Sequence, residues 1–313
     1  MKWVKRGLIF EPTAEFDWNK RAYASVPTVY KVSENILRIY YTARDMENKT
    51  NISYIEVEAD NPKNILYTHE KSVLNFGKLG MFDDCGTMVS HVIDVNNEVW
   101  MYYIGWNVRN TIAYHNSIGL AISKDGGITF KKFSEGPLFD RTYKEPYFNA
   151  APFVLKEDNI WKMWYLSNTD WVEYKGKSEP FYHIKYAESN NGIDWKREGK
   201  VAIDYKDKNE CGIVRACVLK DNGVYKMWYA HRNLQNYRTK KNNSYRIGYA
   251  ESNNGINWNR KDKEVGIDVS KNGWDSEMIE YPFVYDHNGK RYMIYNGNTF
   301  GISGFGYAVL EEE

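Results

Sequence analysis

The sequence contains little cysteine and almost no excess of charge of either sign. Its three cysteines, Cys85, Cys211 and Cys217, support neither a disulfide framework nor a zinc site, and they indicate a reducing compartment. The 42 basic residues nearly balance the 41 acidic ones, and the formal net charge is +1. This balance argues against nucleic acid as the main partner.

Long apolar runs are also absent. No stretch approaches the length of a membrane span, and the apolar part of residues 1–12 is too short for a signal peptide. We therefore expect a cytoplasmic protein without membrane insertion, either a monomer or a homo-oligomer. Aromatic residues, by contrast, are abundant, and they suit both packed sheets and a surface on which sugars stack.

A repeated unit organises the chain, and residues 210–258 are its clearest copy. Short strands at 212–219, 224–229 and 245–250 alternate with Gly- and Asn-containing turns, and a fourth strand begins near Trp258. Such a four-stranded antiparallel sheet needs neighbours of its own kind to bury its faces.

The second strand of this unit occurs five times. Its copies are Ile39-Tyr40-Tyr41, Met101-Tyr102-Tyr103, Met163-Trp164-Tyr165, Met227-Trp228-Tyr229 and Met293-Ile294-Tyr295. The middle residues are numbers 40, 102, 164, 228 and 294, so the period is about 64 residues. The period predicts an all-β, five-bladed β-propeller with four antiparallel strands per blade.

We expect residues 1–313 to form a single domain with blades at about 12–75, 76–140, 141–203, 204–267 and 268–313. Residues 3–10 resemble the fourth-strand segment 195–202, and the chain ends directly after the third strand of the fifth copy. The N-terminal strand, about residues 1–11, is therefore predicted to complete blade 5 and to close the ring.

The turns after the third strands carry a second repeat. Residues 123–130 fit the pattern Ser-x-Asp-x-Gly-x-Thr-aromatic, and close variants end at Trp195 and Trp258. In these turns Asp or Asn bonds the local backbone and Gly takes a positive φ, so we assign them no chemistry.

Candidate site residues should lie at the opposite end of the blades. Those before the first strands are Asp17, Trp18, Asp83, Asp84, Glu145, Glu210, Trp274, Asp275 and Glu277. Those after the second strands are Arg44, Trp106, Arg109, Trp171, His231, Arg232 and Asn296. Arg215 and Glu280 fall inside first strands, which should line the central channel.

Most carboxylates in loops are solvated or form turns, so each needs separate weighing. Glu280 stands between Ile279 and Tyr281 in a strand that should be buried, where a charge needs a partner. Pairing with Arg215 across the channel and a catalytic role both stay open. His91 is interpreted as a core residue rather than as support for a metal.

The five copies, with their Ser-x-Asp-Gly-type turns and Met-Trp-Tyr strands, resemble the five-bladed glycosidase superfamily of glycoside hydrolase families 32, 43, 68 and 130. The resemblance spans the whole chain. Residues 1–3, 82–84 and 274–282 are especially similar to glycosidase-like proteins of bacterial surface-polysaccharide biosynthesis clusters. It implies a funnel that binds a sugar and, in the hydrolases, three catalytic carboxylates.

The sequence departs from the family pattern at the expected catalytic positions. Families 32 and 43 have Asp before the first-blade Pro, whereas Val26 precedes Pro27 here. Ala151 likewise precedes Pro152, and the Glu-x-Pro around Glu280 lies in the fifth blade. The family triad therefore does not transfer position by position.

Glycoside cleavage needs an acid and a second carboxylate at the anomeric carbon. We assign Asp84 as base or nucleophile and Glu280 or Glu210 as acid, with Asp17 and Asp275 positioning hydroxyls. The stacking faces are assigned to Trp18, Trp106, Trp171 and Trp274. Arg44, Arg109, Arg215 and Arg232 suit a phosphate or carboxylate, although ion pairs with neighbouring carboxylates explain any one of them equally well.

These assignments predict a glycoside hydrolase-like, carbohydrate-active enzyme linked to bacterial surface-polysaccharide metabolism. One alternative is a hydrolase or transferase that acts on a nucleotide-linked sugar, and another is a non-catalytic carbohydrate-binding propeller. The expected ligands are a sugar, an oligosaccharide or a nucleotide sugar. No cofactor is expected, although the resemblance leaves open a calcium ion in the central channel.

Overall fold

The computed structural model describes residues 1–312 and confirms an all-β fold. Its strands are β1 (Lys2–Phe10), β2 (Ser25–Lys31), β3 (Ile36–Arg44), β4 (Thr50–Glu58), β5 (Ile65–Thr68), β6 (Thr87–Val95), β7 (Glu98–Val108), β8 (Tyr114–Ser123), β9 (Lys131–Lys132), β10 (Asn149–Glu157), β11 (Ile160–Tyr174), β12 (Lys177–Ser189), β13 (Trp195–Ile203), β14 (Glu210–Asp221), β15 (Val224–Asn233), β16 (Arg246–Ser252), β17 (Asn259–Arg260), β18 (Glu280–His287), β19 (Lys290–Asn296) and β20 (Phe305–Glu312). Short 3-10 helices span Asp17–Asn19, Lys241–Asn243, Asp262–Glu264 and Thr299–Gly301. No helix in residues 1–312 is long and apolar enough to span a bilayer.

The strands pair with their neighbours in sequence. Strands β2 to β5 form one four-stranded sheet in chain order, and β6 to β9 form a second. Strands β10 to β17 are connected as eight, but β12 and β14 share a single parallel pair, Tyr182 with Gly212. The last sheet has the order β1-β20-β19-β18, so the N-terminal strand pairs antiparallel with the C-terminal one.

The first strands of the sheets lie against one another at the centre of the molecule. Strand β2 contacts β6, β6 contacts β10, β10 contacts β14, β14 contacts β18, and β18 contacts β2. Each of these five strands has a register shift that begins in its first half.

Four of these bulges hold a non-glycine residue in the left-handed region. Val26 has φ 56°, Ala151 φ 46°, Arg215 φ 62° and Tyr281 φ 52°. Such a conformation is costly for side chains with a Cβ, and a bulge redirects the side chain of its residue. All four residues line a cavity at the centre of the molecule.

The turns with the Ser-x-Asp-type repeat, called aspartate-box turns from here on, join neighbouring sheets. The middle residue of a second-strand motif donates to the box glycine of the next sheet, with Tyr40 Oη 2.5 Å from the Gly127 carbonyl and Tyr102 Oη 2.8 Å from that of Gly192. Trp164 Nε1 makes the same bond to Gly255 at 2.8 Å. The second-strand motif therefore supplies the donor, and the turn repeat supplies the acceptor, of one recurrent hydrogen bond between sheets.

We predict that Gly192→Ala destabilises the protein more than Gly199→Ala. Both glycines have φ +75°, so both substitutions meet the same backbone strain. A Cβ on Gly192 would lie 2.8 Å from Tyr102 Oη, whereas Gly199 has open space around it. Overpacking should add about 1–3 kcal/mol at Gly192, measured by urea denaturation. Equal losses for both variants would contradict the proposed packing role.

Candidate functional site

A cavity of about 550 Å³ opens where the bulges of the first strands meet the loops that follow the second strands. Within residues 1–312 its lining contains four arginines and six tyrosines, but neither Asp nor Glu. The arginines are Arg44, Arg215, Arg232 and Arg238, and the tyrosines are Tyr23, Tyr114, Tyr182, Tyr237, Tyr245 and Tyr281. The cavity is therefore basic and aromatic.

Arg215 extends from the bulge of β14 across the centre of the molecule. Its guanidinium donates to the Pro27 carbonyl at 3.2 Å, to Thr28 Oγ1 at 2.8 Å and to the Ser90 carbonyl. The side chain thus ties β14 to β2 and β6. Burial lowers the pKa of Arg215 to about 10, which still leaves it charged at neutral pH.

Glu280 does not pair with Arg215. Its carboxyl group is fully buried, and neither oxygen has a hydrogen-bond partner. Burial raises the pKa of Glu280 well above its ordinary value, and the nearby charge of Arg232 opposes this only in part. Burial therefore favours the neutral, protonated form of Glu280, which is the chain neighbour of the cavity residue Tyr281.

Arg232 is held by aromatic side chains. Its Nε donates to the hydroxyl oxygens of Tyr182 and Tyr245, each at 3.1 Å, and its guanidinium lies 3.8 Å from the ring centre of Tyr237. The neighbouring Arg238 pairs with Glu179. In the described chain, no carboxylate lies within ion-pair distance of Arg232.

Arg44 also lines the cavity, and it is the last residue of β3. Its Nη1 donates to the Asn48 carbonyl at 3.2 Å and to Asn48 Oδ1 at 3.3 Å. The guanidinium lies 5.4 Å from the ring centre of Tyr23 and 5.8 Å from that of Trp106. Trp106 is itself fixed by a 2.7 Å bond from Nε1 to Thr50 Oγ1.

Three predicted site carboxylates make one recurrent contact outside the cavity. Asp83, Glu145 and Asp275 each accept a hydrogen bond from the last tyrosine of a second-strand motif, at 3.0, 2.9 and 3.0 Å. Each also pairs with a cation from an outer strand, namely Lys132 at 2.5 Å, Arg197 at 3.1 Å and Lys5 at 2.6 Å, respectively. We call this arrangement the carboxylate clamp.

Glu210 is the related carboxylate of the fourth repeat. It pairs with Arg260 of the outer strand β17 at 2.7 Å and with His231 Nδ1 at 3.0 Å. Burial alone would raise the pKa of Glu210. The hydrogen bonds from His231 and Arg260 outweigh burial and hold this pKa well below its ordinary range. Glu210 therefore contacts His231 and Arg260 outside the cavity lining.

The other predicted site residues are dispersed. Asp17, Arg109 and Glu277 are exposed, and half-buried Asp84 accepts a 2.8 Å hydrogen bond from the Gly80 amide; none of these four lines the cavity. Trp18 donates to the Glu70 carbonyl at 2.8 Å, and Trp274 stacks on Tyr295 at 5.2 Å. Asn296 accepts a hydrogen bond from the Val26 amide at 2.8 Å. Trp171 packs 5.4 Å from Tyr114, at the rim.

Of the predicted set, the cavity brings together Arg44, Trp106, Arg215 and Arg232. Sequence reasoning missed Arg238 and the six tyrosines, because nothing in a strand sequence distinguishes a tyrosine that faces the centre from one in the core. The Tyr-Pro pair at 281–282 and the Val-Pro and Ala-Pro pairs are a usable signal, since all three coincide with bulges.

His91 lies in the core at the centre of the molecule. Its ring is buried 4.2 Å from that of Phe153, and burial lowers its pKa to about 3. No group of three or more metal-binding side chains occurs within the described residues. A calcium ion in the central channel stays untested.

Two mycobacterial proteins match this chain along its whole length. Uncharacterized protein MT1551 of Mycobacterium tuberculosis (strain CDC 1551 / Oshkosh) is 38% identical over 311 residues, which cover 99% of this chain and 100% of the relative. Uncharacterized protein Rv1502 of strain ATCC 25618 / H37Rv is 37% identical over the same length. The chain belongs to the family of these two proteins. No family model matches it.

Solved glycoside hydrolases share the fold of this family. A family-43 glycoside hydrolase described as thermostable has a TM-score of 0.66 at 19% identity, with 91% of this chain and 87% of that chain covered. Another structure, described as a glycoside hydrolase, has a TM-score of 0.72 at 18% identity and is matched over 97% of this chain and 90% of its own length. The predicted resemblance to the propeller glycosidase superfamily is confirmed at the level of the fold.

A third structural match comes from family GH130, described as mannoside phosphorylases that include glycoside hydrolases for β-1,2 mannosidic linkages in Candida mannan. Its TM-score is 0.69 at 13% identity, with 98% of this chain and 93% of that chain covered. At such identities the likeness concerns the fold, and the chemistry must be argued from the cavity itself.

We predict that Lys5→Met destabilises the protein far more than Arg6→Met. Lys5 neutralises Asp275, whose side chain is 3% exposed, whereas Arg6 pairs with Glu311 at an exposed position. Leaving the buried carboxylate without its cation should cost about 3 kcal/mol, against less than about 1 kcal/mol for the exposed pair. Urea denaturation of both variants measures this difference. Similar losses would refute a stabilising role of the N-terminal clamp.

We predict that Glu280→Gln stabilises the protein more at neutral than at acid pH. Because burial raises the folded-state pKa, wild-type stability is complete below the unfolded pKa of about 4.3 and declines as the pH rises. The amide of Gln does not titrate, so the stability of the variant does not decline in this way as the pH rises. Denaturation at about pH 4 and about pH 7 should show a larger advantage of the variant at pH 7. An advantage independent of pH would mean that Glu280 is ionised.

Proposed function

We propose that the sheets are the five blades of one closed propeller, a single domain with the blade divisions predicted from the repeat. The unbroken circuit of contacts among β2, β6, β10, β14 and β18 supports this arrangement. The pairing of β1 with β20 supports closure by the N-terminal strand. The carboxylate clamp of Asp275 also supports closure, because Lys5 of β1 is its outer-strand cation, as Lys132 and Arg197 are in the other sheets.

We propose that the protein is a carbohydrate-active enzyme whose central cavity binds a sugar with a phosphate or carboxylate group, such as a nucleotide-linked sugar. The observation that carries this proposal is a cavity lining with four arginines and no carboxylate among the described residues. A neutral glycan offers no counter-charge for such a lining, whereas an anionic sugar does.

The same lining argues against glycoside hydrolysis by a pair of carboxylates. That reaction needs two carboxyl groups on either side of the scissile bond. Neither Asp84 nor Glu210 lines the cavity, and Glu210 is ion-paired with Arg260 and also contacts His231. Cleavage of a bond between sugar and phosphate instead needs positive charge at the leaving group, which arginines supply.

Glu280 is the candidate proton donor. Burial favours its protonated form, it adjoins Tyr281 in the chain, and it interacts electrostatically with Tyr245 and Arg232 on the cavity wall. A neutral carboxyl group close to a leaving oxygen acts as a general acid. We propose that the reaction belongs to surface-polysaccharide metabolism in the cytoplasm, where nucleotide-linked sugars are consumed.

The second candidate function is carbohydrate binding without catalysis. It is favoured by the position of Glu280, whose carboxyl group is buried behind the wall and is not part of the lining. In this alternative the arginines bind an anionic sugar, and no side chain takes part in bond cleavage.

A ligand screen with product analysis separates these functions. Purified protein is tested by thermal shift against neutral hexoses, their 1-phosphates, hexuronates and nucleoside-diphosphate sugars, and each stabilising ligand is followed by mass spectrometry. Stabilisation by an anionic sugar that is then consumed supports the enzyme. Stabilisation without conversion supports the binding protein, and stabilisation by neutral sugars alone overturns both.

We predict that Glu280→Gln retains the thermal shift but lowers the turnover of a converted sugar by about 100- to 10,000-fold, the usual contribution of a general acid. Asp84→Asn is the matched control, because Asp84 lies outside the cavity, and it should keep near-normal turnover. Because burial raises the pKa of Glu280, wild-type activity should fall as rising pH deprotonates it. Full turnover by the Glu280 variant would exclude Glu280 as the acid.

A further inference from the structure

The four arginines of the cavity differ in how many N–H groups they have free. A guanidinium carries five N–H donors and binds an anion best through two parallel ones. Arg232 uses Nε for the two tyrosine hydroxyls, Nη1 for Cys211 Sγ at 2.9 Å, and Nη2 for the Pro180 carbonyl at 3.3 Å. Arg232 is therefore largely satisfied by the protein.

Arg215 and Arg238 are engaged as well. Both terminal nitrogens of Arg215 bind oxygens of β2 and β6, and its Nε is buried without access to a ligand. Arg238 donates to Glu179, and its side chain is 49% exposed, so its charge is both compensated and screened. These two side chains hold the cavity wall or its rim.

Arg44 is different, because its engaged nitrogen is Nη1. Both acceptors of Nη1 belong to Asn48, and within residues 1–312 the Nε and Nη2 groups have no hydrogen-bond acceptor. No carboxylate of the described chain lies within ion-pair distance of Arg44. The edge formed by Nε and Nη2, which makes bidentate bonds, is thus available.

The surroundings of Arg44 keep this edge in place and leave its charge uncompensated. The rings of Tyr23 and Trp106 lie at 5.4 and 5.8 Å from the guanidinium, which restricts its movement. Exposed Arg21 donates to the same Asn48 Oδ1 at 3.3 Å, so a second positive charge lies close to Arg44. A half-buried cation without a counter-ion is costly unless an anion joins it.

We propose that Arg44 is the specificity-determining residue of the cavity and that its Nε and Nη2 bind the phosphate or carboxylate group of the ligand. Arg215 and Arg232 act as positioning residues, which maintain the walls. This inference rests on the proposed function, since it names the residue that recognises the anionic part of the sugar. It also places that anion at the Trp106 side of the cavity.

The test measures dissociation constants by calorimetry for a hexose, its 1-phosphate, the matching hexuronate and a nucleoside-diphosphate hexose. Arg44→Gln removes the guanidinium, and Arg44→Lys keeps the charge without the bidentate edge. Exposed Arg109, which lies outside the cavity, supplies the control Arg109→Gln with the same change of net charge. Melting temperatures report whether each variant is folded.

Arg44→Gln should weaken binding of the anionic ligand by about 10- to 100-fold, as expected when a charge-assisted bond is lost, and leave hexose binding almost unchanged. Arg44→Lys should recover only part of the loss, and the control should change affinity less than about twofold. Comparison of the 1-phosphate with the hexuronate identifies which anion Arg44 binds.

If the wild type binds anionic sugars and Arg44→Gln keeps that preference, the role of Arg44 is refuted while the proposed function stands. If the wild type prefers neutral sugars, both proposals fail. If Arg44→Gln is unfolded, the folded Arg44→Lys variant decides: unchanged affinity for the anionic ligand overturns the inference, and a loss of affinity supports it.

Discussion

The guanidinium of Arg215 connects fold and cavity more directly than any other side chain of the lining. It reaches from the bulge of β14 to oxygens of β2 and β6, and it thereby links the first strands of three sheets where the cavity begins. Because the group is buried and charged, moving any of these strands would leave a cation without acceptors. The bulges at Val26, Ala151 and Tyr281 occupy equivalent positions in their strands and complete the cavity floor.

The carboxylate clamps have a consequence for the cavity. Asp83, Glu145 and Asp275 are neutralised by outer-strand cations, and they turn away from the centre. These loop carboxylates therefore stabilise the contacts with outer strands and do not neutralise the arginines of the cavity, whose lining has a net positive charge. This separation of charge supports the proposal that the ligand is an anionic sugar. It also distinguishes this cavity from a two-carboxylate hydrolase site.

Sequence periodicity was sufficient for the fold because each repeat is a local sheet with its own turns. The Tyr102 and Trp164 positions were recognisable from the motif, and the box glycines that accept their hydrogen bonds were recognisable from the turn pattern. The candidate site was predictable only in part. Arg44, Trp106, Arg215 and Arg232 do line the cavity, whereas Asp84 and Glu277 stand in similar loops but face elsewhere. The composition of a loop does not specify whether a given side chain faces the cavity.

The sequence by itself determined the strand order, the sheet-to-sheet turns and the departures at Val26 and Ala151 from the pattern of glycoside hydrolase families 32 and 43, because these depend on residue type at a fixed period. Only the tertiary structure decided which charged side chains form ion pairs and which are buried without a partner. Burial without a partner favours the protonated form of Glu280, whereas Arg260, which reaches Glu210 from an outer strand, favours the ionised form of Glu210. Those outcomes depend on burial and on partners that are distant in the chain, such as Lys5 and Asp275, which no local pattern encodes.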